Sequence, residues 1–221
     1  MADFNAVMWD FGGVFSASPF TTVAALGREK NYDADLYFGA IFGPYDADTD
    51  HPWHRLERGE IDFVSAREEI MEAAKAQGME ADPIELFTRM GEQGGGMRQE
   101  VVRLATDVKR RGFQTAIVTN NAKEFRENWT KSVPIGDICH AIVDSSEIGI
   151  RKPDPRIFDG ALAALGDVDP GRVAYVGDSA INDIGGATAA GLVPLHLDPF
   201  DDYAEFEHER IRSVHDVLDL V

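Results

Sequence analysis

The chain has 221 residues, room for one α/β domain with a sizeable insertion or for two small domains. Its hydrophobic content of 44% and charged content of 27% exclude a disordered chain, and no apolar run approaches the roughly 18–20 residues that span a bilayer. The formal net charge of −18 excludes nucleic acid and anionic membrane as partners, because affinity for either rests on Lys and Arg facing phosphates.

The opening residues 1–7 carry Asp3 and no basic cluster, so they read as the approach to a strand rather than as a secretory signal. The single cysteine, Cys139, excludes an internal disulfide and Cys-based zinc sites, and a cytoplasmic protein is the simplest account. Asp46, Asp48, Asp50, Asp201, Asp202, Glu205, Glu207 and Glu209 are expected on a solvated surface. An anionic substrate then needs local basic groups or a metal ion to be accepted. Nothing in the sequence sets an oligomeric state.

The first predicted strand, 6–9, ends at Asp10 and runs into Phe11-Gly12-Gly13. Residues 16–96 follow without a convincing strand. They hold helical patterns such as 63–76, punctuated by Gly43-Pro44, Gly78, Asp82-Pro83 and a Gly94-Gly95-Gly96 triplet read as an exit hinge. A helix is predicted over 97–111, with Val101, Leu104, Ala105 and Val108 on one face and a stop at Gly112. Strand 115–118 ends at Thr119-Asn120-Asn121, helix 122–131 follows, and strand 141–143 ends at Asp144-Ser145-Ser146. Helix 155–165 starts on a proline and stops at Gly166. Strand 173–176 ends at Gly177-Asp178, helix 180–190 stops at Gly191, and strand 192–197 ends at Asp198. Near-continuous apolar strands alternating with helices predict a Rossmann-like, doubly wound parallel sheet. Residues 1–15 and 97–221 would form that core, with 16–96 as a helical insertion. Ligands in this architecture bind at the carboxyl ends of the strands, where every polar cluster above lies.

Those strand ends carry the residue types of phosphoryl transfer. Asp10 is a candidate nucleophile, and flexible glycines beside it let the backbone approach a phosphate or metal. Asp10, Asp178 and Asp183 form an oxygen-only set suited to Mg²⁺, completed by the Gly12 carbonyl. Asp178 also suits a helix N-cap. Thr119 and Asn120 offer hydroxyl, amide and backbone N–H groups to an anion, and Lys152, in a Pro-flanked loop, can neutralise charge on phosphoryl oxygens. Taken alone, each is more ordinary: a turn Asp, a capping Asp, a solvated loop lysine. Their joint occurrence on four separate strand ends is what points to a site.

In order along the chain, Asp10-Phe11-Gly12-Gly13-Val14, Thr119-Asn120, Lys152-Pro153-Asp154 and Gly177-Asp178-Ser179 with Asn182-Asp183 resemble the four motifs of the haloacid dehalogenase-like hydrolase superfamily. The run Leu56-Glu57-Arg58-Gly59-Glu60-Ile61 resembles the branch whose helical cap lies between the first two motifs. The resemblance implies a mobile cap and Mg²⁺-dependent hydrolysis of a small phosphorylated metabolite. It makes Asp10 the nucleophile, Thr119 and Lys152 the phosphate clamps, and Asp178 and Asp183 the metal-side acids. One departure stands out. Phosphatases of the superfamily usually carry an acid/base Asp two positions after the nucleophile, and here that position is Gly12. General acid–base help is worth about 10²–10⁴ in rate, so a leaving group with an acidic oxygen, such as the anomeric oxygen of a sugar phosphate, is expected. His51 or His54 is an alternative proton source, although surface positions are expected for both. Two rivals follow: a metal-free dehalogenase, against which Asp178 argues, and a binding or regulatory protein whose chemistry ended with Gly12.

Overall fold

The computed structural model describes residues 4–93, 96–166, 168–198 and 208–221. Strand β1 (Ala6–Trp9) is followed by five helices: α1 (Pro19–Glu29), α2 (Ala34–Phe42), α3 (Pro52–Glu57), α4 (Phe63–Ala76) and α5 (Pro83–Glu92). Then come α6 (Gln99–Arg110), β2 (Gln114–Thr119), α7 (Lys123–Ser132), α8 (Ile135–Ile138), β3 (Ala141–Asp144), α9 (Ser145–Ile148) and α10 (Arg156–Ala164). The chain ends through β4 (Val173–Gly177), a π-type turn at Ala180–Gly185, α11 (Gly186–Ala189), β5 (Val193–Leu197), β6 (Arg210–Ile211) and α12 (Val217–Leu220).

The six strands form one sheet in the order β3-β2-β1-β4-β5-β6, and every pairing is parallel. Successive residues of β1 therefore face opposite sides. Val7 and Trp9 pack with α6 residues Val101, Leu104 and Val108, while Ala6 and Met8 pack with Ile157, Phe158 and Ala161 of α10. All four β1 residues are fully buried, which is why these strands read as apolar runs instead of alternating. Chain direction across the sheet reverses at β1, whose neighbours are β2 and β4. The crevice at their carboxyl ends is the place where a doubly wound sheet binds ligands.

Helices α1–α5 build a separate hydrophobic cluster around Leu26, Tyr37, Ile41, Leu56, Ile70 and Leu86, joined from the sheet side by Ala122. Local signals define their ends. Asp33, Asp62 and Asp82 accept backbone N–H groups as N-caps, and Pro19, Pro52 and Pro83 open three of the helices. No strand interrupts the described residues between β1 and β2.

Three expectations change in detail. Helix 180–190 is a π-type turn before a short α11, with Ile184 N–H reaching five residues back to the Ser179 carbonyl at 3.1 Å. The two-residue β6 carries no readable periodicity and was not expected. Strand ends extend one residue further than predicted at Thr119, Asp144 and Gly177, so these residues are held by the sheet itself. Asp46, Asp48, Asp50 and Glu209 are exposed as expected, whereas Asp201, Asp202, Glu205, Glu207, Gly94 and Gly95 lie outside the described residues.

Candidate active site

Strand β1 delivers Asp10 to the sheet edge, where its N–H is anchored to the Val176 carbonyl of β4 at 2.8 Å. The side chain is buried. Lys152 comes from the loop before α10 and is also buried; its Nζ donates to Asp10 Oδ1 and Asp183 Oδ1, both at 2.6 Å, and to the Tyr175 hydroxyl at 3.0 Å. Asn120 holds this lysine in place. Its Oδ1 accepts the Lys152 N–H at 2.7 Å, and its Nδ2 donates to the Lys152 carbonyl at 3.1 Å. The Asn120 amide is thus occupied by the loop, while Thr119 stands beside it at the end of β2 with its side chain buried.

Asp183 has less room for a metal than expected. Its Oδ1 accepts from Lys152 and from Tyr175 at 2.8 Å, and its Oδ2 accepts the Ser179 N–H at 3.0 Å. Asp178 does not cap the π-type turn; Ser179 does, accepting the Asn182 N–H at 2.9 Å. Oxygens of Asp10, Asp178 and Asp183 lie within 4.8 Å of one another. Close packing depends on two glycines. Gly13 has φ +74°, and a Cβ there would overlap the Asp178 carboxylate; a Cβ on Gly177 would overlap Asp183. Gly12 is different. Its nearest neighbour for an added Cβ is Asp10 Oδ2 at 3.9 Å, and its φ is ordinary.

Three carboxylates face one ammonium, so the cluster is short of positive charge. Burial pushes Asp10 well above the ordinary carboxylate range, with Lys152 opposing and the neighbouring acids adding to the rise. Burial and the Asp183 charge push Asp178 up to about 7. Burial pulls the Lys152 ammonium down, but Asp10 and Asp183 more than offset this and hold it above the usual lysine range. Tyr175, raised by burial and by the same acids, stays a neutral donor. An all-oxygen, electron-rich set of this kind fits a hard divalent cation, with Asp10 and Asp178 holding the least committed oxygens.

Above the cluster lies a cavity of about 740 Å³, lined at its base by Asp10, Gly12, Thr119, Lys152 and Asp178 and higher up by residues of α2–α5 and α7. His54 lines it and is 1% exposed, not at the surface. Its Nδ1 accepts the Thr49 N–H at 3.0 Å, and burial followed by Arg151 lowers its pKa to about 3. His51 is half-buried, caps α3 by accepting the Trp53 N–H, and does not line the cavity. His51 packs against Gly43 at the end of α2, and His54 is held by Thr49 of the α2–α3 connection.

Sequence reasoning did not single out Tyr175 or the Arg151–Glu57 pair. Tyr175 is the one hydroxyl in an otherwise apolar β4, which was its only signal. Arg151 Nε donates to Glu57 Oε2 at 2.7 Å and Trp53 Nε1 donates to Glu57 Oε1 at 2.9 Å, tying α3 to the lysine loop across 94 positions of sequence.

A profile of the haloacid dehalogenase-like hydrolases matches residues 4–191. The chain is 34% identical over 131 residues to a glyceraldehyde 3-phosphate phosphatase of Methanopyrus kandleri, covering 54% of this chain and 55% of that protein. It is 33% identical over 99 residues to a phosphoserine phosphatase of Thermus thermophilus, covering 45% and 39%. The match thus spans about half the length of these relatives or less. A crystal structure of a dehalogenase superposes with a TM-score of 0.68 at 21% identity, covering 100% of this chain and 98% of that one, which is a likeness of fold.

Proposed function

The chain belongs to the haloacid dehalogenase-like hydrolases, and within them we propose that it is a Mg²⁺-dependent phosphatase acting on a small phosphorylated metabolite, with Asp10 as nucleophile. The observation that carries this reading is the Lys152 ammonium, 2.6 Å from both Asp10 and Asp183 at the base of a large cavity, with Asp178 in the same cluster. A carboxylate held there attacks phosphorus, the ester P–O bond breaks, and an aspartyl-phosphate forms on Asp10. Water then attacks that phosphorus, releasing phosphate and restoring the carboxylate. Lys152 and Thr119 clamp the phosphoryl oxygens, and Asn120 positions Lys152. Asp10 and Asp178, with the Gly12 carbonyl and Asp183 nearby, would hold Mg²⁺, which supplies charge neutralisation for the phosphoryl group. Residues 16–96 act as a helical cap over the core of 1–15 and 97–221. The acidic chain suits a small ligand brought in by a metal rather than a nucleic acid, and the single buried thiol suits the cytoplasm. Among the described residues no helix is long and apolar enough to cross a membrane.

Hydrolysis of p-nitrophenyl phosphate with Mg²⁺, with and without EDTA, tests the reading. Asp10→Asn is expected to lose at least about a thousandfold in kcat, and EDTA to abolish turnover. Unchanged turnover in that variant would sink the mechanism. EDTA-resistant halide release from a 2-haloacid would instead favour a dehalogenase, and failure to bind beryllium fluoride with Mg²⁺ would favour a binding protein.

A further inference from the structure

The walls of the cavity are built from rings. Phe38 and Phe42 of α2, Trp53 of α3, Phe63 of α4, Phe87 of α5 and Phe125 of α7 all line it, six aromatic side chains supplied by five helices. They are joined through ring contacts: Phe38–Phe42 at 5.0 Å, Phe42–Trp53 at 4.9 Å, Trp53–Phe87 at 5.9 Å, Phe87–Phe125 at 5.4 Å and Phe63–Phe125 at 5.2 Å. Polar groups in the same wall are already engaged. Both oxygens of Glu57 accept bonds, from Trp53 and Arg151, and Asn121 Nδ2 donates to Asp144 Oδ2 at 2.8 Å. Thr88 and Asn128 are exposed. Buried exceptions are Arg151 Nη1, Trp129 Nε1 and Asn182 Oδ1, which make no hydrogen bond, with Arg151 Nη1 3.5 Å from Asp48. Two donors and one acceptor on three separate elements match a ligand with few polar groups, not a hexose, whose several hydroxyls would each lose water without a partner.

Proton supply points the same way. Gly12 brings no acid, Glu57 is held in an ion pair, and His54 uses Nδ1 to accept a backbone N–H. With Asp178 given to the metal in the phosphatase reading, a leaving oxygen in this cavity departs as an anion, which favours one bonded directly to an aromatic ring. A sugar's anomeric oxygen shares that acidity but not the match to the walls.

Resting on the phosphatase reading, we propose that the substrate is an aryl phosphate, the ester of a flat phenol-type ring that stacks among Trp53, Phe63, Phe87 and Phe125. Attack by Asp10 breaks the bond between phosphorus and the ring oxygen, and the electron pair leaves on the phenoxide, which takes its proton from water.

The test compares kcat/KM with Mg²⁺ for 2-naphthyl phosphate, benzyl phosphate, glucose 1-phosphate and glucose 6-phosphate. 2-Naphthyl phosphate is expected to exceed glucose 6-phosphate by about a hundredfold or more, and to exceed benzyl phosphate, which has a ring but a poorly leaving alkoxide. Because aryl esters are intrinsically reactive, a variant supplies the second arm. Phe87→Leu is expected to lower the 2-naphthyl to glucose 1-phosphate ratio by about three- to tenfold, the worth of one aromatic contact. Hexose phosphates turned over as well as the naphthyl ester, or a ratio unmoved by Phe87→Leu, would overturn the aryl assignment and leave the phosphatase reading standing. If none of the four esters releases phosphate, the phosphatase reading itself falls, and this assignment with it.

Discussion

Gly12 and Gly13 sit side by side and have opposite constraints. Gly13 is imposed by geometry, since its positive φ and the Asp178 carboxylate leave no space for a side chain. Gly12 is imposed by neither conformation nor crowding. Gly12→Asp is therefore expected to fold and to add a carboxyl beside Asp10, raising kcat on a poor leaving group such as benzyl phosphate by about tenfold or more. Steady-state assays of the two proteins check this, and an unchanged rate would mean that protonation does not limit the reaction. The residue scale is also where sequence reading was most informative. Asp10, Thr119, Lys152, Asp178 and Asp183 come together because each ends or follows a strand of one parallel sheet. Asn120 is the instructive case: a polar residue in the right motif uses its side chain to fix Lys152, which only coordinates reveal.

At the scale of elements, α3 is the hinge between the helical layer and the sheet. Glu57 on α3 holds buried Arg151, whose loop presents Lys152. Glu57→Ala strands that guanidinium with only Asp48 nearby and is expected to lower stability by about 3 kcal/mol in urea unfolding. Adding Arg151→Met to the same chain should restore part of the loss, since it removes the uncompensated charge. His54 on α3 gives the element a pH dependence. An unfolded histidine binds a proton near pH 6.5, while folded His54 does so only near 3, so the native state is disfavoured as pH falls below 6.5. At pH 5 this amounts to about 2 kcal/mol. The His54→Gln protein should therefore lose less stability than the parent between pH 7 and 5, by about that amount. Equal losses in both would show that His54 titrates freely in the folded state. Sequence patterning found α4 to the residue, because Asp62 caps it and its apolar period is regular. The π-type turn was read as a plain helix because a widened turn leaves no mark on hydrophobic spacing.

For the molecule as a whole, the charge of −18 acts on every residue at once. Self-repulsion among surface carboxylates opposes the compact state, and salt screens it. Raising NaCl from 0.05 to 0.5 M is expected to raise the melting temperature by about 2–4 °C, read by calorimetry without Mg²⁺. On the phosphatase reading proposed above, the same acidity would make a buried lysine and a divalent cation the means by which an anionic ester is accepted.

Five strands of the parallel sheet, their alternation with helices, and the set of acids at its edge were legible in the sequence alone, because burial on both faces writes itself as apolar runs and chain reversals as Gly, Pro and polar clusters. The cavity was not. Phe42, Trp53, Phe63, Phe87 and Phe125 lie on five separate helices, and a ring facing a cavity carries the same hydrophobic signal as a ring in a core. Equally, burial of His54, the Asn120 grip on Lys152 and the Arg151–Glu57 pair depend on which helix face meets which loop, and contacts between residues so far apart in the chain are decided only when tertiary packing closes them.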